Sequence, residues 1–214
     1  MKIKNFCFLI VLLLYATEAY AQLGIKAGVN MANEIKTFSQ VNSEAGFNSS
    51  NLTGYQFGLI YQAMAKKSGL GVEIGALLSQ KGSCFHIDSI DVNNPQREGY
   101  KELNYLEVPL NLRYHLSIGF IGIYGFGGIY GGYALSGQTV NETANTTDIE
   151  TYQSFVDHLD YGYNFGAGIE LFKKVQLGGS LSQGLKTKIN TDTNTSQIIS
   201  SKNRVVSVNL VYLF

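Results

Sequence analysis

The 214-residue sequence has no tryptophan, two prolines, two cysteines and three histidines, and its formal charge at neutral pH is zero. Each shortage removes a class of protein. Cys7 sits in the first apolar run, so a chain processed after that run keeps only Cys84. One cysteine forms no internal disulfide, which excludes a small disulfide-stapled secreted domain. Cys7 opens the run rather than ending it, which does not suit a lipoprotein anchor. Three scattered histidines and one cysteine give no metal-ligand spacing, and Asp91-Val92-Asn93-Asn94 lacks the remaining ligands of a calcium loop. No cofactor is implied. The balanced charge leaves no footprint for nucleic acid. Beyond the start of the chain, no stretch is apolar for long enough to cross a bilayer as a helix.

The first 21 residues read as a secretory signal peptide. Lys2 and Lys4 make a basic start, Phe6 to Ala16 is apolar, and Ala19-Tyr20-Ala21 fits the small-residue cleavage pattern. The expected organisation is a signal peptide over 1–21 and a single domain over 22–214, with Gln22 first after cleavage. Without residues 1–21 the chain carries 14 basic and 15 acidic residues.

What is abundant is glycine (24 residues), tyrosine (14) and phenylalanine (12). Glycine at this level, without linker character or collagen period, points to steric roles inside strands. Tyrosine in such number suits side chains held at a polar–apolar boundary.

Apolar and polar residues alternate with period two in eight segments: 22–30, 54–65, 70–81, 103–116, 120–135, 158–172, 175–186 and 205–214. The sixth is the clearest, with Leu159, Tyr161, Tyr163, Phe165, Ala167, Ile169 and Leu171 opposing Asp160, Gly162, Asn164, Gly166, Gly168 and Glu170. The fifth is so rich in Gly, Ile and Tyr that its faces cannot be assigned. Each segment is long enough for a tilted membrane strand, about 9–11 residues. Three connections are short: Lys66-Lys67-Ser68-Gly69, Ser117-Ile118-Gly119 and Lys173-Lys174. The other four, 31–53, 82–102, 136–157 and 187–202, are long and polar. This predicts an all-β fold: an eight-stranded antiparallel up-and-down transmembrane β-barrel with short periplasmic turns and four long extracellular loops.

A soluble ligand-carrying barrel also alternates, but with its apolar face inward. Three features turn the apolar face outward here. Glycines crowd the polar face, where they make room in a narrow barrel. Charges of both signs share that face: Lys26, Arg113 and Lys186 with Glu73, Glu107, Asp160 and Glu170, joined by His115. Buried charges must be paired, so these residues form an expected interior polar network. Aromatics gather at strand ends: Tyr61, Tyr114, Phe172, Tyr212 and Phe214 at the periplasmic end, Tyr55, Phe57, Tyr161 and Tyr163 at the other, as two interfacial girdles. An eight-stranded barrel is just wide enough to be filled by side chains, so the interior reads as plugged rather than as a pore. Pro109, lacking an amide donor in a barrel without edges, predicts a bulge or register break nearby.

The segments L-G-I-K-A-G-V-N (23–30), Y-L-E-V-P-L-N-L-R-Y (105–114) and F-G-A-G-I-E-L (165–171), with the aromatic last strand, resemble the small outer-membrane β-barrel family of Bacteroidetes-type bacteria, the porin family or PorT-like proteins. The resemblance implies an outer-membrane location, this fold and no catalytic motif; some relatives are associated with a secretion system. Phe214 on the closing strand also resembles the recognition signal for the barrel-assembly machinery.

The expected function is therefore a non-enzymatic membrane scaffold embedded in outer-membrane lipid, its loops offering a surface for a protein or glycan partner. The alternatives are a small passive channel, a secretion-system component, and a lipid-modifying enzyme using His86 with Ser83 or Ser89 near Asp88. No nucleophile elbow surrounds either serine.

Overall fold

A computed structural model describes residues 19–38, 47–65, 68–87, 97–142, 146–149, 158–185, 188–192 and 197–214. Among these residues ten strands form one antiparallel sheet: β1 (Ala19–Phe38), β2 (Phe47–Ala65), β3 (Leu70–Ile87), β4 (Arg97–Ile118), β5 (Ile121–Asn141), β6 (Thr146–Ile149), β7 (Leu159–Leu171), β8 (Val175–Gly184), β9 (Lys188–Asp192) and β10 (Gln197–Leu213). Eight of them pair in the order β1-β2-β3-β4-β5-β7-β8-β10, and β10 pairs with β1, which closes the ring. Closure removes both sheet edges, the condition for crossing lipid with strands. The short strands β6 and β9 stand apart from the ring, hydrogen-bonded to the loop-side ends of β5 and β10.

The register fixes the size of the barrel. Paired residues followed once round the ring from Gln22 run through Gln62, Glu73, Asn111, Gly128, Asn164, Ser182 and Val205, and return to β1 at Ala32. With strands about 4.8 Å apart and about 3.3 Å per residue, that stagger over eight strands tilts them by about 40° and sets a backbone radius of about 8 Å. Side chains as long as Arg and Lys reach the axis of such a cylinder.

Alternation sorts the two faces. Ile25, Phe57, Leu59, Ile74, Val108, Leu110, Ile169, Leu177, Val208 and Leu210 are exposed on the outside, whereas Lys26, Gln62, Glu73, Glu107, Asn111, Arg113, Asp160, Glu170 and Gln176 are buried within. The apolar face is thus the outer one. Along β5 the even positions point inward from Gly122 through Tyr124, Tyr130, Gly132 and Ala134, while Ile121, Ile123, Ile129 and Leu135 are exposed. That assigns the one segment whose faces the sequence leaves open.

Three expectations are corrected. Strands run further into the loop side than alternation marks: β1 to Phe38, β3 to Ile87, β4 from Arg97 and β5 to Asn141. The long connections are shorter accordingly, and β6 and β9 lie within two of them. In sequence the added stretches are polar at both parities, as at Asn33-Glu34, Lys101-Glu102 and Gln138-Thr139, so the apolar–polar contrast fades although the strands continue. The register also does not break at Pro109. Its pairing with Tyr130 on β5 is continuous, and toward β3 the ladder lapses between Ile74/Leu110 and Leu77/Glu107 without a shift. The missing amide costs a ladder bond locally and no insertion is needed. The bulges lie instead between Asn51 and Gln56 on β2 and beside Asn104/Tyr105 at the β4–β5 pair.

Candidate functional site

The lumen is where the charged residues meet. At the turn-side level, Glu73 of β3 is the hub. Its Oε2 accepts from Arg113 NH1 (2.5 Å) and Gln62 Nε2 (2.8 Å), and its Oε1 accepts from Asn111 Nδ2 (3.1 Å). Arg113 NH2 donates to Gln176 Oε1 (3.1 Å), and its guanidinium lies 4.1 Å from the ring centre of Tyr124. Gln176 Nε2 donates to Glu170 Oε2 (2.7 Å), and His115 Nε2 lies 3.2 Å from the other Glu170 oxygen. Charge-assisted bonds of this kind, sheltered from water, are far more directional than surface pairs.

At the loop-side level, Lys81 of β3 is the hub. Its side chain is 1% exposed, and its ammonium lies between Glu107 and Asp160, the latter at 3.1 Å. The rings of Tyr130 and Tyr105 flank it at 4.4 and 5.1 Å. Asp160 Oδ2 also accepts from Asn203 Nδ2 (3.2 Å) and Tyr130 Oη (3.4 Å). A buried cation between two carboxylates and two π faces is satisfied on every side.

Between the two hubs, Lys26 is buried with its ammonium 6.0 Å from the Phe126 ring centre. Gln56 donates to Asn209, and Asn209 Nδ2 donates to Ser180 (3.0 Å). Ile60, Leu77, Val211 and Leu213 add an apolar patch to the lumen wall. Lys26 borders two small cavities, of about 20 and 10 Å³; each has space for roughly one water at most. A wider vestibule of about 630 Å³ opens at the turn-side mouth, bordered by Gln22, Ser68, His115, Ser117 and Lys173 among others.

Of the residues expected to face the interior, Lys26, Glu73, Glu107, Arg113, Asp160 and Glu170 are buried there, and His115 lies at the turn-side rim of the cluster; Lys186 lies outside the described residues. Lys81 and the inward tyrosines Tyr124 and Tyr130 complete the network. Lys81 was open to discovery by parity, because Glu73, Ser79 and Lys81 share one face of β3. The tyrosines were hidden by the glycines around them.

The aromatics expected at the interfaces are all exposed on the outer wall. Tyr61, Tyr114, Phe172, Tyr212 and Phe214 lie toward the turns, and Tyr55, Phe57, Tyr161 and Tyr163 toward the loops. Phe214 packs edge-on to Tyr212 at 5.5 Å, and its amide donates to the Leu23 carbonyl at 2.9 Å.

The enzymatic alternative loses a partner. Ser83 is buried, and His86 lies three residues along the same strand, on the opposite face and about 10 Å away by strand rise. His86 Nδ1 is 2.7 Å from Glu98 Oε1 instead. Ser89 and Asp88 lie outside the described residues. Among the described residues, no group of three His, Cys, Asp or Glu side chains could hold a metal ion.

Comparison with known proteins agrees with this architecture. The family described as outer membrane protein beta-barrel domain matches residues 16–190. Among solved structures, the outer membrane protein OprG from Pseudomonas aeruginosa is similar over 93% of this chain and 98% of its own, with 11% identity and a TM-score of 0.51. Neisserial surface protein A is similar over 91% and 99%, with 8% identity and a TM-score of 0.45. At such identities the likeness shows the fold alone, and OprG carries it. No curated protein matches the sequence significantly.

Proposed function

The chain belongs to the outer membrane protein beta-barrel domain family, and on that premise we propose that it is a closed, non-enzymatic anchor whose extracellular loop side carries its binding surface. The observation that supports this reading is the pair of charged clusters in the lumen. Arg113 with Glu73, and Lys81 with Glu107 and Asp160, reach into it at two levels, and among the described residues the cavities beside Lys26 measure about 20 and 10 Å³. Hydrated ions need a far wider continuous path. The outer wall is embedded in outer-membrane lipid through Tyr and Phe at both interfaces.

Residues 1–21 act as the export signal in this reading, and the barrel-assembly machinery inserts the chain, with Phe214 in the closing strand as its recognition element. The loops receive a protein or glycan partner. The segment Y-L-E-V-P-L-N-L-R-Y supports a place among the small PorT-like barrels.

Planar-bilayer recording on the purified, refolded barrel tests the central claim. The expected trace is flat, beside an unheated sample that migrates anomalously on a denaturing gel and shifts on boiling. Discrete, voltage-stable conductance steps from that heat-modifiable sample would replace the anchor with a passive channel.

A further inference from the structure

The turn-side end of the barrel carries charge of one sign. The short connections hold Lys66, Lys67, Lys173 and Lys174 and no acidic residue, whereas the four long connections hold eleven acidic and five basic residues. Within the described turns, Lys173 and Lys174 are exposed, and beside them Phe120 and Phe172 stack at 5.7 Å with 61% and 68% of their surfaces exposed. The two turns are tied together by the Phe172 amide, which donates to the Phe120 carbonyl at 2.8 Å.

The backbone of the β7–β8 turn gives a second, independent observation. Phe172 and Lys173 both have positive φ, 55° and 59°, and the Lys174 amide closes back on the Leu171 carbonyl at 3.1 Å. Consecutive left-handed residues are the mark of a turn that ordinarily takes Asn and Gly. A bulky aromatic there is a genuine outlier. Unfavourable conformations persist where they hold a side chain in a useful place. Here they hold an exposed ring against Phe120, followed in the chain by the exposed Lys173 and Lys174.

We infer that Lys173 and Lys174, with the Phe120–Phe172 stack, form a docking surface for the phosphate headgroup of an anionic phospholipid in the periplasmic leaflet. The stacked rings sit at acyl-chain depth and the lysines meet the phosphate. The argument is charge complementarity at an interface that the turn side must occupy, and it rests on the membrane-anchor reading above. Lysines near an anionic membrane surface each favour binding measurably, and salt screens the effect.

The test uses the full chain reconstituted in phosphatidylcholine vesicles with trace spin-labelled phosphatidylglycerol or spin-labelled phosphatidylcholine. The motionally restricted fraction of each lipid is measured by electron paramagnetic resonance. Phosphatidylglycerol should be preferred by about tenfold at low salt. The preference should fall to near parity in Lys173→Gln with Lys174→Gln, and also in Phe172→Asn with Lys173→Gly, which relaxes the turn while keeping the fold. Equal restriction of the two lipids in the wild type, or an undiminished preference in the glutamine variant, overturns the proposal. Displacement of the labelled lipid by inorganic phosphate would assign the lysines to free phosphate and overturn it equally. Heat-modifiable mobility is read on the same vesicles. A barrel that inserts but shows no preference overturns the lipid site alone, and a chain with no heat-modifiable band overturns the anchor reading instead.

Discussion

Lys81 shows how much a single interior residue can govern. Its ammonium is held by Glu107 and Asp160 and by two tyrosine faces, and the side chain is 1% exposed. Lys81→Met keeps the volume but leaves two carboxylates facing each other without a counter-charge. Breaking a buried pair from one side typically costs about 3–5 kcal/mol, so the urea midpoint of the detergent-solubilised barrel should fall by that equivalent. Adding Glu107→Gln to Lys81→Met removes one orphaned charge and should recover part of the loss. An unchanged midpoint in Lys81→Met would mean that the loop-side hub contributes nothing to stability. The strained turn should move the other way. Phe172→Asn with Lys173→Gly places the favoured residues at two left-handed positions and should stabilise the barrel by about 1–2 kcal/mol, read as a higher urea midpoint.

The strands show why part of this architecture was open to reading in the sequence and part was not. Period two located all eight ring strands because lipid outside and a polar lumen inside impose the sharpest contrast a strand can carry. Turn-side ends are close to the expected ones: β2 ends at Ala65, β3 starts at Leu70 and β8 starts at Val175. Loop-side ends were hidden, because stretches such as R-E-G-Y-K-E at the start of β4 are polar at both parities of the strand and carry no alternation. The polar strands β6 and β9 carry no alternation for the same reason. On β5, glycines on both faces erased the signal, with Gly125, Gly127 and Gly131 outward and Gly122, Gly128 and Gly132 inward.

The inward glycines are not equivalent, and the difference can be measured. A methyl added at Gly178 would collide with the Tyr124 hydroxyl, whereas one at Gly132 would meet Tyr105, Glu107 and Asp160 at ordinary contact distances of 3.5–3.7 Å. Gly178→Ala should therefore cost about 1–3 kcal/mol by overpacking and push Tyr124 off the Arg113 guanidinium. Gly132→Ala should be nearly neutral. Tyr124→Phe should relieve part of the Gly178→Ala penalty, since it removes the colliding oxygen. Equal unfolding midpoints for the two alanine variants would refute this account of the tightly packed turn-side lumen.

Across the whole molecule, the charge falls into three tiers along the barrel axis. The turn-side connections carry four lysines and no acid, the described lumen buries Lys26, Lys81 and Arg113 among Glu73, Glu107, Asp160 and Glu170, and the loop-side connections are net acidic. The tall strands β1 to β5 rise on the loop side, and the tight turns close the other end. A chain inserted from the periplasm draws its short turns across no membrane, while its loops must pass through, so the lysine-rich turns belong inside. Trypsin applied to intact cells should then cut only within the loop-side connections, which hold Lys36, Arg97, Lys101, Lys188 and Lys202, and should spare Lys173 and Lys174. Both should become cleavable once the outer membrane is permeabilised. Mass spectrometry of the released peptides distinguishes the ends. Cleavage at Lys173 or Lys174 on intact cells would invert the barrel, place the acidic loops in the periplasm, and remove the inner-leaflet phospholipid as the partner of the Phe120–Phe172 surface.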